Sequence, residues 1–137
     1  MSAVEIAAAE ASPELRDGLQ AMVDGGEALM DGVGNDVADP DVQESAYAKV
    51  PIAPLVSMLD AVGDIQDRLP QITCPALIMT SPEDHVVAPS ASDHLATTLG
   101  GPVERVSLDR SYHVATIDHD RDLIIERTLD FVARVTS

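Results

Sequence analysis

The strongest constraint on this chain is the order of apolar segments in its second half. "CPALIMT" is a short apolar run bounded by Pro75 and by "SPED", which is the pattern of a buried parallel strand. "SASDHLATTLGG" reads as a helix closed by Gly100-Gly101, and "VERVSL" as a second strand. From about Asp118 to Val135, the residues Ile125, Leu129 and Val132 make a helical stripe, reinforced by Ile124, Phe131 and Val135. Strand, helix, strand, helix is the signature of an α/β sheet.

The first half has a different texture. "ASPELRDGLQAMVDGG" places Ser12 as N-cap, Pro13 at the first helical position and Gly25-Gly26 as the stop, with Leu15, Leu19, Met22 and Val23 on one stripe. "ALMDGVGNDVADPDV" reads as an acidic turn region. After Pro54, "LVSMLDAVGDIQDRL" spaces Leu55, Met58, Leu59, Val62, Ile65 and Leu69 by threes and fours, a helix face ending at Pro70. The expected organisation is therefore a helical segment over residues 1–70 and a strand–helix–strand–helix part over 71–137. Its core must be aliphatic, because the only aromatic residues are Tyr47, Tyr112 and Phe131.

Composition narrows the function. A formal charge of −16 repels phosphate backbones and anionic lipid, so neither nucleic acid nor a membrane surface is an expected partner. No apolar run approaches the ~20 residues that span a bilayer, and "MSAVEIAAAEA" has no basic leader. A cytoplasmic location is the expectation. Cys74 stands alone, before Pro75 at a strand entrance, where a small buried hydrophobe is the expected role.

A strand–helix–strand unit returns its second strand parallel to the first, so both carboxyl ends emerge at one sheet edge, where such sheets bind ligands. The loop after the first strand is "SPEDHVV" and the loop after the second is "DRSYHVA". With neighbouring strands ~4.8 Å apart, Asp84 and His113 come within hydrogen-bonding reach. An aspartate held against imidazole Nδ1–H fixes the tautomer and leaves the other nitrogen free to take a proton from a nucleophile.

Three stretches carry a resemblance: "AYAKVPIAPLVSMLDAV", "LPQITCPALIMTSPEDHVV" and "GPVERVSLDRSYHVATIDHDRDLI". From roughly Gly32 onward the sequence resembles the cap and C-terminal part of a bacterial α/β-hydrolase of the carboxylesterase and monoacylglycerol-lipase-like group. The resemblance implies an incomplete α/β-hydrolase fold, a helical cap followed by the last two parallel strands and their helices. It implies Asp84 as triad acid and His113 as general base, with no cofactor. Where the family often has glycine before its histidine, this chain has Tyr112.

The family's G-x-S-x-G nucleophile elbow has no counterpart among the ten serines. The expectation is thus a half-site that is inactive alone. It would be completed by a serine-bearing N-terminal half acting on a small ester, or would survive as a truncated module that self-associates through its unpaired strand edges or binds a partner.

"DRSYHVATIDHD" also raises a metal reading through His113, Asp118, His119 and Asp120, but H-E-x-x-H and cysteine–histidine spacings are missing. Asp118, Asp120 and Asp122 are explained more simply as acidic residues at a helix N-terminus. His85 and His119 are expected to face solvent, and His94 to lie in a helix without a partner. Met58 with Leu59, and Met22 with Met30, read as packing residues that could also line an acyl-chain tunnel.

Overall fold

Helix α1 runs from Pro13 to Asp24 and buries Leu15 and Leu19, the stripe its spacing predicts. The computed structural model describes residues 13–137, so the Ser12 cap and the "MSAVEIAAAEA" segment lie outside the described residues. The helix stops as expected: Gly26 adopts φ +89°, a left-handed conformation that costs glycine little. Its neighbour Glu27 donates back to the Met22 carbonyl at 2.9 Å.

Two three-residue strands follow, β1 (Leu29–Asp31) and β2 (Lys49–Pro51), paired antiparallel with Met30 opposite Val50. Neither is visible in the sequence, because three residues are too few to establish an alternation. Lys49 and Asp31 lie opposite each other in this register and form an ion pair. The acidic turn region therefore begins with a strand.

Helix α2 spans Ile52–Ile65, starting ahead of Pro54 rather than after it. Proline is tolerated there because the first-turn N–H groups have no intrahelical acceptor. After Ile65 the chain tightens into a 3-10 helix, Gln66–Gln71, that contains Pro70. The face that α2 buries is also rotated from the expected one. Ile52 and Val56 are buried, Leu55 and Leu59 pack beside them, and Met58 and Ile65 point outward. Leu15, Leu19, Met30, Ile52 and Val56 form one core cluster, with Met22 and Val23 against it, so α1 is what covers the α2 face.

The second half follows the expected order. Strand β3 (Ala76–Thr80) lies parallel to β4 (Val103–Ser107), in the register Ala76↔Val103 to Thr80↔Ser107, with helix α3 (Pro89–Thr98) between them in sequence. Gly101 packs against the entrance to β3, where an added Cβ would stand 2.4 Å from the Cys74 carbonyl oxygen. Cys74 itself is exposed, contrary to expectation, because it precedes the strand and does not enter its pleat.

The last helix, α4, covers Arg121–Val135 and contains no buried residue. Its expected stripe is open to solvent, with Ile125, Leu129 and Val132 exposed at 51%, 65% and 48%. A two-stranded sheet is too narrow to cover that face. Among the described residues no helix is long and apolar enough to cross a membrane.

Leu19 and Ile52 are fully buried at the α1–α2 contact. Leu19→Ala and Ile52→Ala are each expected to cost roughly 2–5 kcal/mol of stability, read as a lower urea midpoint with an unchanged slope. Leu129→Ala, on the exposed stripe, should leave the midpoint of the isolated chain nearly unmoved.

Candidate functional site

Parallel pairing sets the geometry of the site. Thr80 and Ser107 end their strands side by side, and Leu108 N–H extends the ladder to the Thr80 carbonyl at 2.9 Å. The two following loops therefore leave the same edge of the sheet. Ser81, buried, donates its hydroxyl to the Ser111 carbonyl and accepts from Glu83 N–H at 3.1 Å, which ties the loops at their roots.

His113 Nδ1 lies 3.1 Å from Asp84 Oδ1 and 3.0 Å from Asp84 Oδ2. The two residues singled out from the sequence are in contact. Asp84 Oδ1 also accepts from Val86 N–H and Val87 N–H, each at 2.8 Å, so the turn that follows fixes the carboxylate before the histidine meets it. A carboxylate can only accept, so in the neutral imidazole Nδ1 carries the proton and Nε2 holds the free lone pair. Tyr112, in the place of the family's glycine, meets the His85 ring edge-to-face at 4.7 Å and 87°.

Asp36 is the site residue that sequence reasoning passes over. It is buried, its Oδ2 accepts from His85 N–H and His113 N–H at 3.1 Å each, and its Oδ1 lies 2.8 Å from His85 Nδ1. In the sequence it is one acid among several in a turn-rich stretch, and its partners come 49 and 77 positions later. No local signal marks it.

His85 and His119 are exposed, as expected, whereas His94, Asp118 and Asp120 depart from expectation. His85 is about half exposed and paired with Asp36. His94 Nε2 is 2.9 Å from Gln66 Oε1, so it does have a partner. His119 is partly exposed, with Nδ1 at 3.7 Å from Asp39 Oδ2.

Asp118 and Asp120 are buried and do not cap α4 with their side chains. Asp118 accepts from the N–H groups of Ala38, Asp39, Tyr112 and His119. Asp120 accepts from Arg110 N–H, Arg110 Nε and the Ser111 hydroxyl. Only Asp122 remains in the first helical turn as an exposed acid.

Beside His113 opens a cavity of about 400 Å³, lined by Met79, Leu108, Val114, Ala115 and Ile124, with Glu44 at its polar side. The site thus joins an imidazole to a mostly aliphatic hollow.

Residues 36–120 match the family described as serine aminopeptidase, S33. The chain is also 43% identical over 116 residues to the thermostable monoacylglycerol lipase of Bacillus sp. (strain H-257), covering 82% of this chain and 46% of that protein. This chain belongs to that α/β-hydrolase family. A solved structure reported for LipS and LipT, two metagenome-derived lipolytic enzymes, matches with a TM-score of 0.75 and 37% identity. That match covers 90% of this chain and 50% of the other. The chain spans about half the length of the relatives it matches, and the described residues form part of an α/β-hydrolase fold.

Within this hydrolase segment, burial pushes the Asp118 carboxyl up, but the N–H donors of Ala38, Tyr112, His119 and Asp39 together hold it below its ordinary value of 3.8. Asp120 is held low in the same way: burial opposes, while Arg110 and Ser111 outweigh it. A carboxylate whose folded pKa lies below its unfolded value contributes stability above the unfolded pKa and loses it as pH falls through the folded one. Asp118→Asn should therefore lower the urea midpoint near neutral pH. The gap to wild type should close as pH drops below 3.8; a gap independent of pH would contradict the ionised role.

Proposed function

We propose that these residues supply the acid and the general base of a serine ester hydrolase, with Asp84 as the triad acid and His113 as the base. The observation that supports this most is the contact of both Asp84 oxygens with His113 Nδ1, at 3.1 and 3.0 Å. Asp84 holds the ring in the tautomer whose Nε2 can take a proton, and it stabilises the imidazolium once formed. Nε2 removes the serine proton as the hydroxyl attacks the ester carbonyl, then returns it to the departing alkoxide. Water, deprotonated by the same nitrogen, then attacks the acyl carbonyl; the acyl–serine bond breaks, Nε2 returns the proton to the serine oxygen, and the acid leaves.

The serine and its oxyanion-binding N–H groups come from polypeptide outside these 137 residues, on the same chain or on a partner, because no G-x-S-x-G occurs here. The substrate class is an ester of a small alcohol with an apolar acyl chain. Two features support it: the aliphatic wall of the cavity beside His113, and the lipolytic names of both relatives. The exposed Ile125, Leu129 and Val132 support a surface that another polypeptide covers. That polypeptide is the serine-bearing part in the preferred reading, and a second copy of this chain in the alternative, where the module is inactive.

Mixing this chain with the serine-bearing half of such a hydrolase is expected to raise cleavage of a short p-nitrophenyl ester above that of the serine half alone. His113→Ala should return it to background, and Asp84→Asn should lower kcat by about ten-thousand-fold. No gain on mixing, together with a stable homodimer in light scattering, would favour the alternative.

A further inference from the structure

We propose that Asp36 is a positioning residue for the acid–histidine pair: its buried carboxylate holds the backbones of both loops and so sets the approach of His113 to Asp84. This rests on the reading of Asp84 and His113 as acid and base. Asp36 does not touch a reacting atom.

A single oxygen, Asp36 Oδ2, accepts from His85 N–H and from His113 N–H at 3.1 Å each. His85 is the residue directly after the acid, and His113 is the base. One acceptor shared between two peptides keeps their nitrogens within twice that distance of each other. Moving either loop away from the shared oxygen stretches its bond. The Asp36 carbonyl adds a third link, accepting from Val114 N–H at 3.2 Å, so its segment grips the histidine loop at two successive residues.

Asp36 is itself anchored. Ala38 and Asp39, just beyond it, donate to Asp118 Oδ2 and Oδ1 at 2.7 and 3.1 Å, and Asp118 also accepts from Tyr112 N–H at 2.9 Å. The 36–39 segment thus lies between the two carboxylates as a strut. His85 Nδ1 occupies Asp36 Oδ1 at 2.8 Å, which leaves Oδ2 to the loop backbones. Both oxygens are used, and the residue is only 7% exposed, so water has little access to replace them.

Geometry and charge make opposite predictions. Asparagine at this position can keep one oxygen between the two N–H groups while turning its amide toward His85, which accepts in its other tautomer. Glutamate keeps the charge but moves the oxygens by one methylene. Alanine removes the link.

The test is the nitrogen NMR spectrum of this chain labelled with ¹⁵N-histidine, read above neutral pH, where the His113 nitrogens report whether Nδ1 carries the proton. Wild type should show the Nδ1–H form, and Asp84→Ala should lose it. Asp36→Asn should retain it, whereas Asp36→Glu and Asp36→Ala should lose it as fully as Asp84→Ala does, with far-UV circular dichroism unchanged. Either of the last two suffices if the other does not fold. Retention in Asp36→Glu or Asp36→Ala would overturn the proposal, as would loss in Asp36→Asn. An unchanged signal in Asp84→Ala would instead strike at the acid–base pair itself, and the positioning role would fall with it.

Discussion

Buried carboxylates that accept from backbone N–H groups are the constraint on which the arrangement of this chain depends. A charge taken out of water is costly unless it is fully hydrogen-bonded. Asp36, Asp118 and Asp120 are buried, and each carboxylate meets at least three donors. Hydrogen bonds to a charged acceptor are worth about 1.5–3 kcal/mol each. Losing one also leaves the remaining charge under-satisfied. Loops that would otherwise be free to move are thereby held where the strands deliver them.

These acids answer a problem peculiar to the fold. The parallel pair β3–β4 aligns two loop origins at one edge, but it does not determine where residues several positions later will lie. Asp84 follows Thr80 by four residues and His113 follows Ser107 by six. Closing the gap between them takes the Ser81–Ser111 link at the roots, the Asp36 bridge across the middle and the Asp118 anchor behind it. The family match begins at residue 36, so it takes in the bridge as well as both loops.

The same logic separates the helical packing unit from the loop region energetically. Helices α1 and α2 with strands β1 and β2 are held mainly by aliphatic packing, whereas residues 36–39 and the loops after β3 and β4 are held mainly by polar links to main-chain groups. A sheet of two strands offers little apolar surface to the second half, and α4 leaves its stripe uncovered. The placement of Asp84 against His113 therefore turns on directional bonds rather than on the size of the core.

By itself the sequence determined the order of the larger elements and the shared sheet edge from which the Asp84 and His113 loops leave. Apolar periodicity marks α1, β3, α3, β4 and α4, and parallel pairing follows from the strand–helix–strand order. Both residues lie a few positions beyond a strand end, so local pattern plus topology brings them to one edge of the sheet; the links that close the last gap between them carry no local signal. Only the tertiary structure decided the rest. The three-residue strands β1 and β2 exist through pairing with each other, and the rotation of α2 depends on where α1 sits. Asp36, Asp118 and Asp120 look in sequence like ordinary turn or helix-start acids, because a carboxylate carries no local sign of which distant N–H groups it will accept. His94 and Cys74 departed from expectation for the same reason: partners and exposure are properties of space, and spacing along a chain encodes only the neighbours that a regular element brings round.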